Sequence, residues 1–137
     1  MTAGEFIDVY NSQPSKWCNY LLTIVDSWDS VATCFFIDTA HNLCEYLECI
    51  NKILKPGGIW VNLGPLLWHY SEQPNEVQIE LSCEEVLDLV PKFGFKIRTL
   101  EFRNCKYTQK PDSMLNLEYE AVFFSAVKVF DFKSDLL

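Results

Sequence analysis

The sequence predicts an α/β fold with an at least partly parallel sheet. Three observations carry this: a continuous apolar run of β-forming residues from Val31 to Ile37, a segment of helical periodicity directly after it, and a second β-rich run opening at Gly58. Strand, helix and strand joined by short connections make a βαβ unit, and a parallel strand pair needs such a crossover.

The run "VATCFFI" shows no alternation, which suits a strand covered on both faces. After it, Leu43, Tyr46, Leu47, Ile50, Ile53 and Leu54 recur at helical spacing, with Thr39 or Asn42 available as a cap and Lys55-Pro56-Gly57-Gly58 closing the element. "GIWVNLGP", Gly58 to Pro65, reads as the second strand. "LLWHYSEQPNEVQIE" mixes aromatic, polar and turn residues and reads as a loosely ordered loop over one edge of the sheet. Ser82 and Glu85 have capping-box spacing before Val86, Leu87, Leu89, Val90 and Phe93, so a helix is expected there, stopped at Gly94 and shortened or kinked by Pro91. Phe95 to Phe102 and Glu118 to Phe130 alternate as strands, joined by the polar segment Arg103 to Leu117, and are expected to pair antiparallel at the sheet edge. The tail from 131 to 137 is expected to be frayed. At the other end, Met1 to Trp17 reads as a loop entered from a preceding strand, and Asn19 to Trp28 has no clear role. A sheet that begins here lacks its first strands, so residues 1–137 are expected to form one partial domain.

The chain has 137 residues, 49% hydrophobic and 15% aromatic, ample for a single core. Its net charge is -8, from 19 acidic against 11 basic residues, and no basic cluster exceeds a pair, which argues against nucleic-acid binding. No apolar run approaches the roughly 20 residues of a membrane span, and no secretion signal opens the chain; no membrane association is expected, and the expected location is the cytoplasm, with the nucleus as a second compartment. Six cysteines without a Cys-x-x-Cys pair, beside His41 and His69 alone, argue against a metal site and read as reduced thiols.

In open α/β sheets, ligands bind outside the carboxyl ends of the strands. Asp38 follows Ile37 at one such end, and Gly64-Pro65 marks the next. Asp38 and the segment Leu66 to Tyr70, with His69, are therefore expected to share a crevice and to offer a nitrogenous substrate an acid/base or hydrogen-bonding pair. Each residue also has a structural reading. Asp38 can cap the following helix, and position alone does not decide between cap and site. His69 can be an ordinary loop histidine. His41, in the first helical turn, is expected to be neutral and structural. Cys34 reads as core packing, and Tyr107 and Tyr119 as aromatic packing with wet hydroxyls. Gly57-Gly58 is a helix stop, since no third glycine opens a following helix.

The strings "ATCFFIDTAHN", "ILKPGGIWVNLGPLLWHY" and "VQIELSCEEVLDLVPKFGFKI" closely resemble the carnosine N-methyltransferases, which use S-adenosylmethionine. The resemblance implies the C-terminal part of a class I, Rossmann-like methyltransferase sheet, with the N-terminal strands and glycine-rich loop missing. It implies methylation of the imidazole of carnosine or a related histidine dipeptide, carnosine giving anserine. It assigns the catalytic pair to Asp38 and His69, the small dipeptide substrate to Asp38, His69, Tyr107 and Tyr119, and the cofactor S-adenosylmethionine to Glu5, Phe6 and Cys34; a homodimer is compatible with it. Three departures stand out: Glu5 replaces the family's usual Asp, Leu117 stands where a further pocket tyrosine is expected, and extra residues around "CNYLLTIVDS", within 17–28, interrupt the approach to the first strand. The absent glycine-rich loop leaves a second expectation open, an inactive methyltransferase-like fragment acting through protein contacts. A redox module built on Cys34 or Cys44 lacks paired-thiol spacing.

Overall fold

One mixed sheet organises the chain, whose computed structural model describes residues 6–11, 25–71, 73–108, 110 and 112–132. A short helix α1 (Phe6–Asn11) precedes β1 (Trp28–Cys34); a 3-10 turn (Ile37–Thr39) leads into α2 (Leu43–Ile53), then β2 (Leu54–Gly64), α3 (Cys83–Lys92), β3 (Phe95–Cys105) and β4 (Tyr119–Lys128). The strand order is β1-β2-β4-β3. β1 and β2 run parallel across α2, and β4 runs antiparallel to both β2 and β3. Both the expected βαβ unit and the antiparallel late pair are present. β4, however, inserts between β2 and β3, so β3 alone forms that edge.

The first strand differs from its expectation at both ends. It starts at Trp28 and stops at Cys34, because Phe35 adopts a left-handed backbone (φ 49°) that extended structure does not tolerate. Gly64 makes room for this: a Cβ there would meet the Phe35 N and Cα at 3.0 Å. Nor is β1 covered on both faces: Trp28, Asp29, Ser30, Ala32 and Cys34 are exposed while Thr33 is buried. β1 is also an edge strand among the described residues. On the β2 side, Lys55 to Gly58 form a bulge between the pairs Trp28–Leu54 and Ser30–Ile59.

Asn42 caps α2, its side chain accepting from the Cys44 N–H at 3.1 Å. The capping box of α3 is closed in both directions: Ser82 Oγ accepts from the Glu85 N–H at 3.2 Å, and the Ser82 N–H donates to Glu85 Oε2 at 2.7 Å. Pro91 does not shorten this helix below Lys92, because it sits in the last turn, where Gly94 (φ 87°) completes the exit. Residues 6–11 are helical where a loop was expected, Phe6 packing against Phe36 and Tyr46.

Leu43, Leu47 and Ile50 of α2, Val86 and Val90 of α3, and Trp60, Phe95 and Phe124 from the sheet belong to one buried cluster. Inside it the Trp60 Nε1–H donates to Thr33 Oγ1 at 2.9 Å, Thr33 donates to Asn62 Oδ1 at 2.8 Å, and Asn62 Nδ2 donates to the Val122 carbonyl at 3.3 Å, joining β1, β2 and β4. The tail is tied down further than its composition suggests. Phe132 N–H donates to Asn51 Oδ1 at 3.0 Å, and Asp131 shares the buried Lys128 ammonium with Asp26. Residues 133–137, and 17–24 of the extra segment, lie outside the described residues.

Candidate functional site

Asp38 sits in the 3-10 turn, stabilised where Thr39 Oγ1 donates to the Phe36 carbonyl at 2.6 Å. It is not the helix cap, a role Asn42 fills, nor is it at the mouth directly after a strand. It is 3% exposed. Its Oδ2 accepts from the Leu67 N–H at 3.2 Å, and its backbone carbonyl accepts from the His69 N–H at 3.0 Å. Oδ1 is buried and has no hydrogen-bond partner. A buried carboxylate oxygen without a donor is costly, and most buried polar atoms avoid that state.

The segment Leu66 to Tyr70 thus meets Asp38 as the strand-end argument requires, and the His69 ring itself is exposed. Trp68, one residue earlier, is buried in a left-handed backbone (φ 49°), with its Nε1–H on the Leu81 carbonyl at 3.1 Å. A bulky residue in this region costs on the order of 1–2 kcal/mol, held here by surrounding packing. Phe35 and Trp68 therefore mark both site segments with strained backbone.

Phe35 has a second role. Its ring packs against Tyr107 (5.1 Å) and Tyr119 (5.6 Å), so the two tyrosines share one aromatic platform near Asp38 in sequence. Tyr107 is 70% exposed, too open for plain aromatic packing. Tyr119 opens β4 opposite Cys105, on the side of the sheet where Gly64 ends β2 against Val122. Nothing in the sequence marks Phe35, which is hidden inside an apolar run.

On the other side of β1, Phe6 and Cys34 line one cavity of about 480 Å³ with Tyr10, Phe36, Val31 and Ile53. Cys34 is exposed at this cavity and not packed in the core. The aromatic walls suit a flat heteroaromatic group, in the size range of small-molecule sites, while the far end follows the β1 edge to Trp28. Glu5 lies outside the described residues. Burial pushes the Cys49 thiol up to about 12, and burial likewise raises Cys44 and Cys83, so none of these is an activated nucleophile.

The loop after Leu66 is not loose. His41, which precedes the cap and lies outside the helix, stacks on Tyr70 at 4.0 Å and 17°, and its Nδ1–H donates to the Val77 carbonyl at 3.1 Å. The Ile79 N–H donates to the His41 carbonyl at 3.0 Å. Gln78 bonds to Asp38, Ala40 and Tyr70 together. A glutamine in a polar loop carries no sequence signal of such a role.

A family profile described as carnosine N-methyltransferase matches residues 1–129. The chain belongs to the carnosine N-methyltransferase family. Carnosine N-methyltransferases of Rattus norvegicus and Mus musculus are each 46% identical over 125 residues, covering 90% of this chain and 28% of theirs. The Dictyostelium discoideum carnosine N-methyltransferase is 44% identical over 102 residues, 74% of this chain and 22% of its own. The chain therefore spans about a quarter of the length of the curated relatives it matches. Among solved structures, a SAM-dependent methyltransferase from Methanosarcina mazei superposes with TM-score 0.55 at 13% identity, over 77% of this chain and 61% of that one. A structure reported for the conversion of a disulfide bond into a thioacetal group during echinomycin biosynthesis gives 0.54 at 12% identity, over 78% and 51%. At such identities the likeness concerns the fold: this family member carries part of a class I, Rossmann-like methyltransferase sheet, as its sequence resemblance implied.

Proposed function

We propose that this chain forms the substrate-binding part of an S-adenosylmethionine-dependent methyltransferase that methylates an imidazole nitrogen of carnosine, giving anserine, or of a related histidine dipeptide. The observation that carries this reading is the buried, unpartnered Asp38 Oδ1 beside the His69 segment. A neutral imidazole has one N–H and one nitrogen lone pair. Asp38 Oδ1 accepts the N–H, fixes the tautomer and leaves the opposite nitrogen free to attack. As the N–C bond forms, the ring gains positive charge, which a desolvated carboxylate stabilises more than water does. The ring proton held at Oδ1 is the one released when the methylated ring returns to neutrality.

Tyr107 and Tyr119, backed by Phe35, flank the dipeptide, and the exposed His69 ring is free to contact its polar end. The reaction needs orientation and water exclusion more than covalent assistance. The aromatic walls of the cavity at Phe6, Tyr10 and Phe36, with Cys34 at its edge, fit the adenine end of S-adenosylmethionine. When bound, S-adenosylmethionine supplies an electrophilic methyl group whose bond to sulfur breaks as the bond to nitrogen forms.

The test is transfer of labelled methyl to carnosine by the intact protein and its Asp38→Asn variant. Turnover is expected to fall at least about 100-fold, while S-adenosylmethionine affinity, measured by calorimetric titration, changes less than about threefold. Parallel loss of both quantities overturns the assignment.

A further inference from the structure

The geometry points to Gln78 as a positioning residue that holds the Asp38 turn and the His69 segment in one arrangement. This rests on the methyltransferase reading of the site. Among the described residues from 71 to 80, Gln78 is the one that is not exposed. Its Nε2 donates to the Ala40 carbonyl at 2.7 Å and to the Asp38 carbonyl at 3.2 Å, and its Oε1 accepts from the Tyr70 N–H at 2.8 Å. One side-chain amide thus satisfies backbone groups on both halves of the site: the turn after β1 and the segment after β2. No other natural side chain of this length presents two donors and an acceptor in one plane.

The consequence concerns where Asp38 Oδ1 points. The Asp38 carbonyl takes two donors, the His69 N–H and Gln78 Nε2, and its Oδ2 takes the Leu67 N–H. With backbone and one carboxylate oxygen fixed, the free Oδ1 has a set direction before any ligand arrives. Gln78 touches no site reserved for substrate, since its polar atoms are already engaged. Removing it loosens the turn against the loop and leaves the carboxylate free to swing. Orientation losses of this kind appear in turnover of the substrate that the carboxylate orients, and not in binding at the separate Phe6 and Cys34 cavity.

The experiment uses two variants of the intact protein. Gln78→Met removes donors and acceptor at similar length; Gln78→Glu keeps the acceptor for Tyr70 and removes both donors to Ala40 and Asp38. Both variants are expected to lower kcat for carnosine about tenfold, with KM for S-adenosylmethionine within about twofold of the unsubstituted protein. Amide hydrogen exchange supplies a readout independent of activity. The Tyr70 amide is expected to exchange about tenfold faster in Gln78→Met and to stay protected in Gln78→Glu, while Trp60 and Val61 in β2 are unchanged in both. Unaltered carnosine turnover in the variants, with the unsubstituted protein active, overturns the role of Gln78 alone. Loss of S-adenosylmethionine affinity in parallel with turnover, or faster exchange spread through β2, also overturns it in favour of a general folding role. An unsubstituted protein that methylates no imidazole dipeptide overturns the proposed function itself, and with it this role.

Discussion

The His69 N–H donates to the Asp38 carbonyl at 3.0 Å, which fastens the turn beyond β1 to the segment beyond β2. The two carry different burdens: Asp38 is buried with one carboxylate oxygen unmatched, whereas the His69 ring is open to solvent. A stable fold has no use for an unmatched buried oxygen, which is why it reads as a binding feature.

A thermal consequence follows for Asp38→Asn. The asparagine oxygen can still accept from Leu67, and its amide replaces the unmatched oxygen without leaving a buried charge. The melting temperature is expected to stay within about 2 °C or to rise, even as turnover is lost. Differential scanning calorimetry decides: a fall beyond about 5 °C means that Asp38 is held for stability instead.

Glycine substitutions separate site geometry from fold. Gly64→Ala places a Cβ 3.0 Å from the Phe35 backbone and is expected to cost about 1–3 kcal/mol, while displacing the platform under Tyr107 and Tyr119. Gly94→Ala drives a Cβ into the Phe130 carbonyl oxygen and forces a side chain into φ 87°, so its loss should be the larger. Urea titration of both variants gives the order, and equal stabilities contradict this account of the two contacts.

Thiol chemistry should follow exposure and burial. At pH 8, iodoacetamide is expected to modify exposed Cys34 early and buried Cys49 last, as read by peptide mass spectrometry. The Cys49 thiol is raised from 9.0 to about 12 in the folded chain, so the folded state keeps its proton where the unfolded state loses it. Its stabilising contribution is therefore complete below about pH 9 and is lost as pH rises toward about 12. Denaturation midpoints that stay flat from pH 8 to 11 in the wild type, compared with Cys49→Ala, contradict this linkage.

If Cys34 borders the cofactor, S-adenosylmethionine slows its alkylation. Protection of about fivefold or more at saturating S-adenosylmethionine is expected, with Cys44 and Cys83 unaffected. Unchanged Cys34 labelling removes it from the cofactor side of the site.

Much of the frame was legible because it depends on near neighbours in the chain. The capping box needs only Ser82 and Glu85, the α2 stripe needs only a repeat of leucines and isoleucines, and the βαβ unit needs two apolar runs at the right separation. The site was legible in part. Strand-end reasoning brought Asp38 and the His69 segment together, and left open whether Asp38 caps a helix, a choice the Asn42 cap settled. The exposure of Cys34 was hidden, because a continuous apolar run does not say which face of its strand the rest of the chain covers.

Short-range pattern was enough to place α2, α3 and the four strand segments and, through long matching strings, the family, but not the helix at residues 6–11. Folding alone settles that Phe35 turns left-handed to support two distant tyrosines, that Asp38 keeps one oxygen unmatched, and that Gln78 bonds across to Ala40, 38 residues away. The physical reason is range: periodicity and capping are set by residues a few positions apart, whereas burial and hydrogen-bond satisfaction depend on segments that meet only after the chain has folded.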